Sequence, residues 1–245
     1  MAYWVPMPQL FVDIGRVLYI GTWNSTAEHT PMVPIIGAGL DRTFLLNIDG
    51  EDTWARTAIV PAGVPRTVDA FGERLAVMPV DPLQVSAEVH GDQAIDALRT
   101  LADAESFSQD AWDALGRATP HTAFEEVGPT VREAAQAIDS HVAENLPGSE
   151  IAQRVGYSLP HLQAMFRSEL GVSMRSYRVW GRLRRVAQQV QVTSTLTEAA
   201  TPAGFYDAAR FTNSFVATFG ITPTSVFSPD LRIHLVPNRL ISETS

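Results

Sequence analysis

Apolar positions change their spacing along the chain, and the changes divide it. Between residues 10 and 80, short apolar runs alternate with turn residues: RVLYIGTW, RTFLLNI, ARTAIVPAG and ERLAVMPV. They mix β-branched, aromatic and aliphatic residues and are separated by Gly, Pro and Asn-Ser, which predicts short strands in a small sandwich or barrel. Over residues 92–116 the period becomes helical. Ile95, Leu98 and Leu101/Ala102 recur on one face, followed by Trp112 and Leu115, so two short helices are expected, separated near Ser106–Ser108. Residues 117–130, RATPHTAFEEVGPT, have no period and read as a linker. From Val131 the pattern is helical again. Val131, Ala134/Ala135, Ile138 and Val142 form a stripe, Thr130 is the expected N-cap, and Leu146-Pro147-Gly148 the expected stop. Helices should continue to about Thr218, and a tail over residues 229–245 contains the strand-like LRIHLV between two prolines. The expected fold class is α+β with several domains: a sheet domain with its helices over residues 1–116, the linker, and an all-α domain over residues 131–228.

The helical part repeats itself. The first copy runs Ala152, Gly156, Ser158, Leu162, Phe166, Leu170-Gly171-Val172-Ser173. The second runs Ala200, Gly204, Asp207, Phe211, Phe215, Phe219-Gly220-Ile221-Thr222. Each element has a physical task. The small residue lets two helices cross closely. The first glycine makes the turn, the Ser or Asp caps the next helix, the i,i+4 apolar pair docks that helix, and the second glycine ends it. Two helix-turn-helix units follow, an arrangement that can place a second helix in a DNA major groove.

Charge changes the picture only once its distribution is read. The chain of 245 residues has a net charge of −9, which argues against nucleic acid. Residues 1–130 carry seven Arg against eighteen acids, however, whereas residues 131–229 carry nine Arg against seven acids. All eighteen basic residues are arginine. A composition 45% hydrophobic and 18% charged supports a packed core. The absence of cysteine excludes disulfides, thiolate metal sites and cysteine nucleophiles. No apolar run is long enough to cross a bilayer, and MAYWVPMPQLFVDIG lacks the basic and apolar regions of a signal peptide. A cytoplasmic location is the expectation.

The stretch SEIAQRVGYSLPHLQAMFRSELGVSMRSYRVWGRLRRVAQQV, followed by TLTEAATPAGFYDAARFTNSFVATFGITP, resembles the signature of AraC-type (AraC/XylS) transcription regulators over about residues 131–228. Gly204-Phe205, Asp207, Ala209, Phe211, Phe215, Phe219-Gly220 and Ile221-Thr222-Pro223 fit the pattern of the second unit. The resemblance implies two units joined by a long helix, here about Met174–Val190, that read successive major-groove faces. It also implies control of transcription, as an activator or a repressor, with RNA polymerase as a possible partner. Residues Gly15–Trp23 and the run from Ala58 to Pro65 resemble, more weakly, the cupin-type sensing barrel that such regulators carry. That likeness implies a small effector in the barrel and a dimer through adjoining helices, for which residues 92–116 are the candidates. The sequence departs from the metal-binding cupin pattern. Only His29 stands near the first histidine position, residue 31 is Pro, and the later position is Arg66. No metal or other cofactor is expected.

These motifs select the candidate residues. In the first unit, Ser158 caps the reading helix, and His161, Gln163, Ala164 and Arg167 lie on its outer side while Leu162, Met165 and Phe166 face inward. Gln suits an adenine edge, Arg a guanine and Ala a thymine methyl. Arg175, Arg178, Arg182, Arg184 and Arg185 crowd the joining helix and suit phosphates. Ala208, Arg210, Thr212 and Asn213 are the outward residues of the second unit, where Pro202 should shorten the first helix. Trp23, Phe44, Trp54 and Arg66 are the candidates to line an effector pocket, although a Trp in a small barrel is more often simply core. Two other readings stay open. One is a cupin-type metal enzyme with a helical appendage, for which residues 1–130 offer only His29, His90 and His121. The other is a regulator impaired in DNA binding that acts through protein partners. No catalytic triad, phosphate loop or paired-carboxylate motif stands out, so an enzyme is not expected.

Overall fold

The computed structural model describes residues 7–13, 16–84, 91–104, 106–119, 127–190 and 195–236. His90, His121 and the middle of the expected linker, residues 120–126, lie outside them. The N-terminal half contains strands β1 (Gln9–Val12), β2 (Val17–Trp23), β3 (Ile35–Gly39), β4 (Phe44–Ile48), β5 (Glu51–Ala55), β6 (Thr57–Val60), β7 (Arg66–Asp69) and β8 (Glu73–Pro79). They form a six-stranded sheet, ordered β6-β3-β8-β2-β1-β9, and a three-stranded sheet, β5-β4-β7. The edge strand β9 is Arg232–Leu235, from the far end of the chain.

The central strands are buried on both faces, which explains their nearly continuous apolar runs. On β2, Val17, Tyr19 and Trp23 point into the core between the sheets, while Leu18 and Ile20 point to the outer face. On β8, Leu75 and Val77 face in, and Ala76 and Met78 face out. Helices α1 (Gly91–Asp103) and α2 (Gln109–Ala118) cover that outer face with Ala94, Leu98, Leu101, Trp112 and Leu115. The expected pair of helices is therefore present. Its apolar face is occupied by the sheet, so a dimer through residues 92–116 has only the outer, polar sides of these helices. The linker also begins later than expected: α2 continues to Ala118, and Val127 is already buried.

The C-terminal half contains α3 (Pro129–Ser140), α4 (Gly148–Arg154), α5 (Leu159–Leu170), α6 (Met174–Gln189), α7 (Leu196–Ala200), α8 (Ala208–Phe219) and α9 (Pro223–Val226). Thr130 is not the cap of α3. Pro129 stands in its first turn, where a missing N–H costs nothing, and Gly128 is the N-cap, its N–H donating to Glu169 Oε2 at 2.7 Å. The helix also stops earlier than expected, at Ser140, and Asn145 takes a positive φ of 58° in the turn that follows. Helix α7 has five residues against seven in α4 and ends two positions before Pro202, as proline requires.

The two helical units are packed differently. The first has its own core of Val131, Ile138, Ile151, Leu162, Phe166 and Tyr177. The second shares its core with the sheets: Phe211, Phe215 and Val226 cluster with Trp180, Leu183 and Val186 of α6 and with Leu10, Tyr19 and Trp23 of the barrel. The tail, which had no assigned role, pairs in parallel with β1 through Gln9↔Arg232 to Val12↔Leu235, and His234 stacks on Phe11 at 4.6 Å between ring centroids.

Candidate functional site

Helix α5 is set up as the repeat requires. The Ser158 hydroxyl accepts from the His161 N–H, Gly156 makes the preceding turn at φ 79°, and Gly171 ends the helix in the left-handed region. Leu162 and Phe166 are fully buried, which turns His161, Gln163, Ala164 and Arg167 out to solvent. The exposed side of α5 therefore presents one imidazole, one amide, one methyl and one guanidinium in sequence. Helix α8 repeats the geometry. Asp207 accepts from the Arg210 N–H at 2.7 Å, Gly204 turns at φ 94°, and Gly220 ends the helix. Arg210 and Asn213 are exposed, and Ala208 and Thr212 half-buried beside them.

The sequence reading passed over two aromatic residues. Tyr157 and Tyr206 each precede an N-cap, at equivalent places in the repeat. Tyr157 stacks on His161 at 5.1 Å between ring centroids, and Tyr206 is 93% exposed. Their shared register in the two units was the available signal.

The arginines of α6 separate by environment. Arg175 is exposed. Arg178 donates to the Leu146 carbonyl at 2.7 Å, and Arg182 to the Val142 carbonyl at 3.2 Å and to Asn145 Oδ1 at 2.9 Å. Both close the turn after α3, and burial holds both guanidinium pKa values below the usual range. Arg184 does not join a phosphate-facing set. It points the other way, between Asp81, which follows β8, and Asp139 of α3. Asp139 also accepts from the Tyr177 hydroxyl at 2.9 Å. Burial pushes the Asp81 carboxyl up and Tyr177 up as well.

The sheet domain encloses a cavity lined by Trp23, His29, Phe44, Arg66, Val77 and Phe219 among others. Of the four effector candidates, Trp23, Phe44 and Arg66 come together here and Trp54 does not. Trp54 lies on the edge strand β5, is 60% exposed, and stacks on Phe71 at 5.5 Å on the outside of the domain. His29 and Arg66 are bridged backbone to backbone, each N–H donating to the other's carbonyl at 3.0 Å. The two positions weighed against the cupin metal pattern therefore do meet in space, with a guanidinium in place of the second imidazole. Among the described residues, no three His, Cys, Asp or Glu side chains converge as metal ligands. Burial lowers the His29 pKa to about 4, with Arg66 adding to the effect, and lowers Arg66 to about 10. The cavity adjoins an apolar cleft between the barrel, α6 and α8. Trp23, Val77 and Phe219 line both. No local pattern places Phe219 and Gly220, the end of the second reading helix, against the barrel, yet the Ala27 N–H donates to the Gly220 carbonyl at 3.2 Å.

Comparison with known proteins agrees with this geometry. Residues 151–228 match a family model described as a helix-turn-helix domain. Over 107 residues the chain is 30% identical to a probable thc operon regulatory protein of Rhodococcus erythropolis. That match covers 42% of this chain and only 31% of the relative. Over nearly its whole length the chain superposes on ToxT of Vibrio cholerae. A ligand-free form matches with a TM-score of 0.58 at 10% identity, covering 87% of this chain and 97% of that one. A form bound to an unsaturated fatty acid matches with a TM-score of 0.55 at 10% identity, covering 86% and 94%. Among the described residues no helix is long and apolar enough to cross a membrane. Residues 151–228 are thus a helix-turn-helix domain, and the chain as a whole has the two-domain fold of ToxT.

Proposed function

We propose that the protein is a cytoplasmic, sequence-specific DNA-binding transcription regulator whose N-terminal half responds to a small molecule. The doubled helix-turn-helix supports this most strongly, because both second helices are capped, docked and stopped alike and keep their outer faces in solvent. Gln163, Arg167, His161 and Ala164 read bases from α5. Ser158 and the α5 N-terminus hold a phosphate. Ala208, Arg210, Thr212 and Asn213 face the duplex from α8, while Arg175, with Arg178 and Arg182 beside it, meets the backbone. RNA polymerase and a second copy of the chain are partners in this reading. The fatty acid bound by ToxT and the largely apolar cavity around Arg66 both favour a small-molecule effector.

Selection of bound duplexes from a random pool, at about 0.1 M salt so that the phosphate contribution stays measurable, tests the proposal. The expected result is a motif with two blocks about one helical turn apart. A single short block would assign reading to the first unit alone, with the second held by the barrel. No enrichment in any condition would overturn the proposal in favour of a protein-binding role.

A further inference from the structure

We infer that Tyr206, and Tyr157 at the matching place in the first unit, are uncharged anchors on DNA, each hydroxyl donating to a backbone phosphate beside its reading helix. The inference rests on the regulator reading and names a further contact of the same interface. Charge alone leaves that interface short of anchors. Residues 148–173 carry two Arg against two acids, and residues 195–228 one Arg against two acids. Arg154 is paired with Glu150 at 2.8 Å. On α6, Arg184 is bound inside the protein, and Arg178 and Arg182 already donate to the turn after α3. Each reading helix has a single arginine, Arg167 on α5 and Arg210 on α8. Phosphate contacts must then come in part from neutral donors, and tyrosine hydroxyls are among the usual ones.

The two turns show how these tyrosines come to be available. The second has one residue more than the first between its glycine and its cap: Gly156-Tyr157-Ser158 against Gly204-Phe205-Tyr206-Asp207. By backbone bonding, Tyr157 corresponds to Phe205, since their N–H groups donate to the carbonyls of Ala152 and Ala200 at 2.9 and 3.1 Å. Phe205 takes the packing role. It is 5% exposed and meets Phe211 edge to face at 5.5 Å between ring centroids. The extra residue, Tyr206, is thereby released from the core, and it is 93% exposed. Tyr157 stacks on His161, on the outer side of α5, and stays 43% exposed. A large ring left in water forgoes the burial that ordinarily stabilises it, so the packing of the fold does not account for Tyr206. The acid beside it is engaged elsewhere: Asp207 accepts from the Arg210 N–H of its own helix at 2.7 Å. In the regulator reading the first turn of each second helix enters the major groove. A phenol just ahead of that turn meets the sugar-phosphate rim, and the bases are left to the helix.

The test measures binding of the full chain to its selected duplex and to a random duplex of equal length, by fluorescence anisotropy at several salt concentrations. Tyr206→Phe and Tyr157→Phe keep the ring and remove only the hydroxyl. Each should weaken both duplexes alike, by roughly 10-fold, as one hydrogen bond to a charged oxygen allows. The salt dependence should stay as it is, because no cation is lost, whereas Arg210→Ala should make it shallower. Single methylphosphonate substitutions along the selected duplex give the position: one of them should weaken the unaltered protein but not Y206F. Unchanged affinity of both variants on both duplexes would overturn the inference. So would a loss confined to one base position of the selected site, which would make the tyrosine a base reader. A protein that selects its motif while Y206F and Y157F bind as well as it does loses only these anchors. Absence of binding to any duplex removes the regulator reading and the anchors together.

Discussion

Arg184 ties the halves of the molecule together: its guanidinium lies between Asp81, beyond the last strand of the barrel, and Asp139 on α3, which it reaches at 3.1 Å. Asp81 is 4% exposed, so this pair is desolvated. Removing one partner of such a pair strands a buried charge. Arg184→Ala should lower the free energy of unfolding by about 3–5 kcal/mol, and the double variant D81N/R184A should recover much of it. Urea unfolding of the unaltered protein and the two variants checks this. A loss of DNA affinity in R184A without a loss of stability would instead return Arg184 to the phosphate-facing set.

The two helix-ending glycines form an internal control. Gly171 has φ 66° and nothing within 4 Å of where a Cβ would stand. Gly220 has φ 71°, and a Cβ there would lie 2.3 Å from His29 Nδ1 and 2.8 Å from Thr26 Cβ. Gly171→Ala should cost about 1–2 kcal/mol, the left-handed conformation alone. Gly220→Ala should add about 1–3 kcal/mol of overpacking, because His29 and Thr26 are buried and cannot give way. Equal melting temperatures for the two variants would show that the second unit is not seated on the barrel.

His29 makes stability depend on pH. Its folded pKa, about 4, lies below the ordinary histidine value of 6.5, because burial disfavours the imidazolium and Arg66 faces it. The unfolded chain therefore takes up a proton first as pH falls, and stability declines between about 6.5 and 4. By pH 5 the loss should be about 2 kcal/mol. His29→Gln should flatten this part of the profile. A wild-type and H29Q pair with parallel profiles would show that the imidazole is solvated.

On DNA, variants should separate by face. Gln163→Ala and Arg167→Ala should each cost about 1–3 kcal/mol on the selected site and relax preference at their own base positions. Arg175→Ala should weaken selected and random duplexes alike and reduce the salt slope by about 1. Competition binding at several salt concentrations distinguishes the two classes.

The helical half was legible in the sequence because its rules are local. Ser158, Asp207, Gly171 and Gly220 sit at fixed offsets from the apolar pairs they serve, and the structure uses all four as the repeat predicts. What the sequence hid depends on partners remote along the chain. Arg184 has the composition and spacing of a phosphate contact, and only the packing of α6 against Asp81 turns it inward. Trp54 sits in a strand that reads like its neighbours, yet β5 is an edge whose residues face solvent. Thr130 lost the cap to Gly128 because Pro129 fits the first turn better. The Arg66 cavity was half visible: the residues were named, but not the closing of its wall by the end of the second reading helix.

The strand β9 has a consequence for the order of events at the ribosome. The sheet takes its edge from Arg232–Leu235, after both DNA-reading units have been made. Gln9, which donates to the carbonyls of Leu101 and Ala102, accepts from His234 at 2.9 Å, so residues more than two hundred positions apart complete one polar junction. The six-stranded sheet is therefore complete only once the chain beyond both helical units has been made, and an N-terminal fragment would leave β1 as an open, aggregation-prone edge.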